Sequence, residues 1–348
     1  MKQEATVWLV VDSRANGGIE THIQELARGL NDTDTQVVVV FIKDHGVHPL
    51  REALERDGLE TFTLDGSFLS LVKHLRKDRP SLVHSHGYKA GLYCCAAARI
   101  VGCAHVSTYH AGEFGTGKVA VYDWLHRQAS LFNDSNFAVS TEIADRVPKL
   151  PLVLNNFVSL PELPSKCGTQ LAYVGRLSKE KGPDRLLQIA ARMAQIEFNF
   201  YGSGPLLSNL KSEASGNCLF HGNQNDMAPR WRDIDLLLMP SRHEGMPMAA
   251  LEAMARRIPV VAFDVGDLGR VVNSGETGWL VKNGDIEGFQ RAIESWMTLD
   301  DHRRDEMRDA ARKRIVDGFS SQQVIPLVVD QYRRSAAGRL PACDAFCK

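Results

Sequence analysis

Two carboxylates bracket the start of an expected helix in Ser241-Arg-His-Glu-Gly-Met-Pro-Met-Ala-Ala-Leu-Glu-Ala-Met, directly after the apolar run Leu236–Met239. Pro247 suits the first turn, because its ring presets φ and its absent N–H needs no partner there. Glu244 then stands on the loop and Glu252 in the second turn, about 7–8 Å further along at 1.5 Å per residue. Gly245 and Met246 carry the turn, and the first amides of the helix, at Met248 and Ala249, point with the helix dipole at whatever anion approaches. A carboxylate, an anion socket and a second carboxylate suit a sugar hydroxyl, a diphosphate and ribose hydroxyls.

A second constellation is Tyr173-Val-Gly-Arg-Leu-Ser-Lys-Glu-Lys-Gly-Pro-Asp. Gly175 permits a tight turn at a strand end, and Arg176 and Lys181 supply two cations for one diphosphate, which stabilises it as a leaving group. In the first half, Asn16-Gly-Gly-Ile-Glu-Thr-His opens a helix, and Gly17 and Gly18 bare their amides where side chains would intrude. Thr108-Tyr-His-Ala-Gly-Glu ends a strand with His110.

These motifs need elements to position them. Apolar runs alternate with helical patterns along the chain, which predicts βαβ units and parallel sheets. Strands are expected at Val7–Val11, Val37–Ile42, Leu82–His84, His105–Thr108, Phe137–Val139 and Leu152–Leu154, and again at Leu171–Val174, Glu197–Tyr201, Leu236–Met239 and Val260–Phe263. Helices are expected at Gly18–Leu30, Phe68–Lys77, Asp184–Ala194, Pro247–Arg256 and Ile286–Met297. The fold class is therefore α/β with two Rossmann-like domains, residues 1–158 and 159–318, and with 319–348 a helix packing back across the domains plus a frayed tail from Pro341. Open parallel sheets bind ligands beyond the carboxyl ends of their strands, so the default site is a cleft where the two domains face each other.

At 348 residues the chain has room for two cores. Hydrophobic residues at 44% and charged residues at 24% exclude disordered and collagen-like classes. With 41 basic against 42 acidic residues the net charge is −1, which argues against a nucleic-acid-coating protein. The runs Val37–Ile42 and Leu236–Pro240 fall far short of the roughly 20 residues of a membrane span, and no signal peptide is read at the N-terminus. The seven cysteines contain no Cys-x-x-Cys, and reduced thiols in a cytoplasmic protein are expected.

The paired glutamates within strand–loop–helix, together with the Gly-Arg…Lys-Gly segment and the first glycine loop, resemble the retaining GT-B glycosyltransferases of family 4. The resemblance spans about residues 5–335. It implies transfer of a sugar from a UDP-, GDP- or ADP-sugar to a hydroxyl of a glycan or lipid-linked acceptor, with retention and without metal or other cofactor. Glu244 and His110 would meet the donor sugar, Glu252 the ribose, and Arg176, Lys181, Gly17, Gly18 and the amides of Gly245, Met246, Met248 and Ala249 the diphosphate. Gly202 and Gly204 in Tyr201-Gly-Ser-Gly-Pro, with Asn223 and Gln224 in Phe220-His-Gly-Asn-Gln-Asn-Asp-Met, would form the nucleobase region. The third glycine of a dinucleotide fingerprint is replaced by Leu207, which disfavours a dehydrogenase. Met246 replaces a common Phe, and Asp267 and Arg270 depart from the pattern and receive no role.

An epimerase of the same fold and a non-catalytic nucleotide-sugar sensor share many of these residues. Asp32-Thr-Asp34 and Asp233-Ile-Asp235 precede strands and read as turn and strand-start residues, not as a metal–diphosphate motif. His84-Ser-His86 suggests no third ligand and reads as mobile cleft edge. The basic segment Lys73–Arg79 reads as a solvated face, although lipid-linked acceptors make a peripheral membrane contact compatible with the resemblance.

Overall fold

The computed structural model describes residues 5–13, 17–110, 118–224 and 226–338. Asn16, Ala111–Glu113 and Asn225 of the motifs above, and the tail from Pro341, lie outside the described residues. The chain divides into two compact units, residues 1–159 with 321–348, and residues 160–320.

The first unit carries a seven-stranded sheet of β1 (Ala5–Val11), β2 (Thr35–Phe41), β3 (Glu60–Thr63), β4 (Leu82–His86), β5 (Ala104–Tyr109), β6 (Ser135–Ala138) and β7 (Leu152–Val153) in the order β3-β2-β1-β4-β5-β6-β7. Every pairing is parallel. Alternation along β1 supplies two cores at once. Val7, Leu9 and Val11 point to one face, and Trp8 and Val10 to the other. The second face is covered by the helices Phe68–Asp78 and Tyr88–Val101, through Leu71, Leu75, Ala90, Cys94 and Ala97. The first face is covered by the helix Gly18–Asn31 and by the terminal helix Ser321–Ala337, which brings Val324, Ile325, Val328 and Tyr332 into the same core. These last two helices meet closely enough that a Cβ on Gly29 would lie 2.5 Å from Ile325 Cγ1.

The second unit repeats the architecture with β8 (Gln170–Val174), β9 (Phe198–Tyr201), β10 (Cys218–Gly222), β11 (Ile234–Met239), β12 (Val260–Phe263) and β13 (Gly278–Val281), ordered β10-β9-β8-β11-β12-β13 and all parallel. The strand order reverses between β8 and β11, so the loops leaving their carboxyl ends flank the crevice in which doubly wound sheets hold ligands.

Three strands escaped the periodicity. Glu60–Thr63 is short and partly exposed, Cys218–Gly222 has no fully buried residue, and Gly278–Val281 is half-buried. All are edge or near-edge strands, whose apolar signal is weakest. Pro247 is not in the first turn but precedes it as N-cap, at φ −75° and ψ 126°, and the helix runs Met248–Ala255. The five cysteines among the described residues are unbridged. Asp235 is no metal ligand candidate: it is buried in β11 and accepts from Trp296 Nε1 at 2.9 Å and Arg308 at 2.6 Å.

Tyr332 is fully buried and its hydroxyl lies 2.6 Å from His84 Nδ1. Tyr332→Ala should cost about 3–5 kcal/mol as a core cavity, whereas Tyr332→Phe should cost about 1–3 kcal/mol through the lost hydrogen bond alone; urea unfolding of both variants measures the difference.

Candidate active site

In the second unit the two loops at the switch point are stitched together by backbone. Arg242 N and His243 N both donate to Glu180 O, at 2.8 and 3.3 Å. The Arg242 guanidinium grips both oxygens of Asp184 at 2.8 and 2.6 Å, and Arg185 donates to the carbonyls of Pro240 and Ser241 at 3.4 and 3.3 Å. Bidentate pairing of this kind fixes geometry as well as charge. The segments 175–185 and 240–252 therefore behave as one piece of surface.

Glu244 sits in that piece with its side chain only 3% exposed. Lys181 Nζ is 2.6 Å from one of its oxygens, and Ser241 Oγ donates to the other at 2.7 Å. The expectation that Lys181 is committed to a diphosphate and Glu244 to a sugar thus meets a direct ion pair between them. A carboxylate this sheltered needs a compensating cation, and Lys181, one-third exposed, is the near one that is also open to solvent. Arg176 is exposed, and its carbonyl accepts from the Tyr173 hydroxyl at 2.5 Å, which shapes the turn after β8.

The amides of Met248 and Ala249 open the helix Met248–Ala255, ahead of the bond from Ala250 N to Pro247 O. The side chains of Met246 and Met248 are buried and anchor this turn, and a Cβ on Gly245 would meet open space. Glu252 accepts from Trp231 Nε1 at 3.2 Å, a partner that sequence reasoning missed because Trp231 lies in a separate short helix, Ala228–Trp231.

Gly202 and Gly204 are required by close approach of backbone. A Cβ on Gly202, at φ 139°, would lie 1.9 Å from Gly175 O, and one on Gly204 would lie 2.4 Å from Leu177 O. The backbone that approaches them is the β8 loop itself, with Leu177 N donating to Ser203 O at 2.9 Å. Phe220 and His221 belong to β10, so Asn223 and Gln224 alone of that motif's candidate residues follow the strand; Gln224 donates to His221 O at 2.9 Å. Asp267 and Arg270 pair with each other at 3.4 Å.

In the first unit, Gly17 caps the helix Gly18–Asn31 in an extended conformation and Gly18 faces open space. His110 follows β5 and lies in a histidine cluster. Its Nε2 is 3.0 Å from His86 Nδ1, and its ring centroid is 4.8 Å from that of His22, whose Nδ1 meets Asn156 Oδ1 at 3.1 Å. One nitrogen from each of His22, His86 and His110 falls within 4.8 Å of the others, a set that could hold a divalent metal. This corrects two readings. His84 and His86 are not mobile edge residues: each is 1% exposed, because both positions of β4 face the core. A third ligand candidate does exist for His86, and only folding brings it from the first helix.

Burial holds the His22 imidazole down at about 4, and it pushes His84, His86 and His110 well below the usual histidine range. Rings kept neutral in the folded chain protonate in the unfolded one, so stability is full above pH 6.5 and is lost as pH falls toward 4. His22 alone accounts for about 3 kcal/mol of that loss. Thermal unfolding between pH 7 and 4.5 should show a falling Tm, with a shallower slope in His22→Gln.

The glycosyl transferases group 1 family model matches residues 163–314, and the glycosyltransferase family 4 model matches residues 16–154. Taken with the paired sheets, these matches place the chain in the GT-B glycosyltransferases of group 1/family 4. It is 26% identical over 306 residues to the Escherichia coli UDP-Gal:alpha-D-GlcNAc-diphosphoundecaprenol alpha-1,3-galactosyltransferase, covering 76% of this chain and 78% of that protein. It is 25% identical over 355 residues to an uncharacterized 41.2 kDa protein in the cps region of Klebsiella pneumoniae, covering 91% and 96%. Among solved structures, Anabaena Alr3699/HepE in complex with UDP-glucose matches with a TM-score of 0.82 at 16% identity, over 93% of this chain and 98% of that one, a likeness of fold.

Proposed function

We propose that the protein transfers a sugar, with retention, from a nucleotide-diphosphate sugar to a hydroxyl of a glycan or lipid-linked acceptor in surface polysaccharide or lipopolysaccharide assembly, and that it needs no metal. The observation that carries the reading is the fusion of the Arg176–Lys181 segment with the Glu244–Glu252 loop and helix at the switch point of the second sheet. In this reading Arg176, Lys181 and the first helix amides offset a departing diphosphate without a divalent ion. The E. coli relative uses a UDP-sugar and a lipid diphosphate acceptor by name, which supports the donor and acceptor classes.

In this reading Arg176, Lys181 and the amides of Gly245, Met246, Met248 and Ala249 hold the diphosphate, with Gly17 and Gly18 contributing amides, and Glu252 holds the ribose. Asn223 and Gln224, beside Gly202 and Gly204, take the nucleobase. Glu244 and His110 are the catalytic residues that orient the sugar as positive charge develops at its reacting carbon. When the donor diphosphate arrives, Lys181 exchanges part of its contact with Glu244 for phosphate oxygens, and the carboxylate is freed toward sugar hydroxyls.

Incubation with a panel of UDP-, GDP- and ADP-sugars should release one nucleoside diphosphate, and EDTA should not slow it. Glu244→Ala should lower turnover by at least about 10²-fold while nucleotide affinity stays within about threefold; a fully active variant removes the assignment. Stabilisation by a nucleotide sugar without turnover under any acceptor would favour a sensor.

A further inference from the structure

Four histidines of the first unit pack ring against ring around the carboxyl ends of β4 and β5, and the transfer reaction uses only His110. Both nitrogens of His84 are committed, Nδ1 to the Tyr332 hydroxyl at 2.6 Å and Nε2 to Thr108 Oγ1 at 2.6 Å. The other three rings keep nitrogens in reserve. His22, from the helix Gly18–Asn31, meets Asn156 Oδ1 through Nδ1 at 3.1 Å. An amide oxygen only accepts, so Nδ1 carries the proton and Nε2 keeps a bare lone pair, the arrangement by which an outer partner orients a metal-ligating imidazole. His86 Nδ1 and His110 Nε2 lie 3.0 Å apart with one proton between them, and His86 Nε2 is buried with no hydrogen-bond partner.

This spacing suits a metal ion. Zn–N bonds of about 2.0–2.1 Å at tetrahedral angles place ligand nitrogens about 3.3–3.4 Å apart. The His86–His110 pair is already near that separation, and the remaining ones, none above 4.8 Å, close by ring rotation. As the ion enters, the proton between His86 and His110 moves to the far nitrogen of its own ring, so both facing nitrogens ligate with no net release of protons. Three imidazoles favour Zn²⁺ or a neighbouring transition ion over Mg²⁺ and Ca²⁺, which take oxygen ligands. His110 also lines a pocket with Ile19, Gly87 and Tyr88, and the fourth position of the ion opens there to water.

We propose that His22, His86 and His110 form an inhibitory Zn²⁺ site, in which one ion takes His110 Nε2 and withdraws that ring from the donor sugar. The ion is no cofactor of the transfer. Its inhibitory effect rests on the role given to His110 above, whereas its binding rests on the cluster alone.

The untagged full chain, stripped of metal, should take up one equivalent of Zn²⁺ and hold it through dialysis, and Co²⁺ in its place should give the visible bands of a tetrahedral ion. His22→Gln and His86→Gln, each checked by circular dichroism, should weaken uptake at least about tenfold; Asn156→Ala, which leaves all three ligands in place, should weaken it about tenfold. His302→Gln, at a side chain 81% exposed on another helix, should leave uptake as it is. Zn²⁺ should suppress nucleoside diphosphate release and EDTA should restore it. Each cluster variant, referred to its own metal-free rate, should need at least about tenfold more Zn²⁺ for the same loss. A wild-type chain without cobalt bands overturns the site, as do bands that persist unchanged in the cluster variants. Uptake by the cluster with release unaffected overturns the inhibition. A chain that binds cobalt through these histidines but turns over no donor removes the transferase reading, and the inhibition with it, and leaves the metal site standing.

Discussion

A parallel strand pair cannot be closed by a hairpin, so every connection in these two sheets must cross over, usually as a helix, and all loops of one sense gather at one edge. That constraint governs the rest of the molecule. It buries both faces of each sheet, which is why β1 needs apolar side chains at successive positions. It also puts the loops after β8 and β11 side by side, where the strand order reverses, although residues 176 and 244 are far apart in sequence. The Glu180, Asp184, Arg185 and Arg242 contacts lock those two loops together.

The locking has an electrostatic consequence. Glu244 is buried deeply enough that it needs Lys181, and Lys181 is exposed enough to respond to an arriving anion. Neither residue has a fixed and separate task in the unliganded chain. Their pairing keeps a buried carboxylate compensated, a use of an ion pair for arrangement more than for stability.

The first unit solves a different problem with histidine. His22, His84, His86 and His110 are packed ring against ring in its interior, and burial keeps them neutral. Their hydrogen bonds reach Asn156, Thr108 and Tyr332, so the polar floor beneath His110 depends on residues from the end of the domain sequence and from the terminal helix. The helix Lys118–Ala129 continues the theme, with polar groups turned inward and apolar ones left outside.

By itself the sequence determined the α/β class and most strands and helices, and it singled out the segments 173–184 and 241–254, because apolar periodicity and glycine–proline punctuation act over a few neighbouring residues. Edge strands such as Glu60–Thr63 and Cys218–Gly222 were not legible, since half-exposed strands carry little periodic signal. The identity of Glu244 and Lys181 was readable, but their direct pairing was not. Nor was the Trp231 bond to Glu252, the approach of Gly202 to the β8 loop, or the joining of His22 to His86 and His110. Each of these joins segments distant in the chain, and only the packing of crossover helices onto a parallel sheet sets which distant side chains become neighbours.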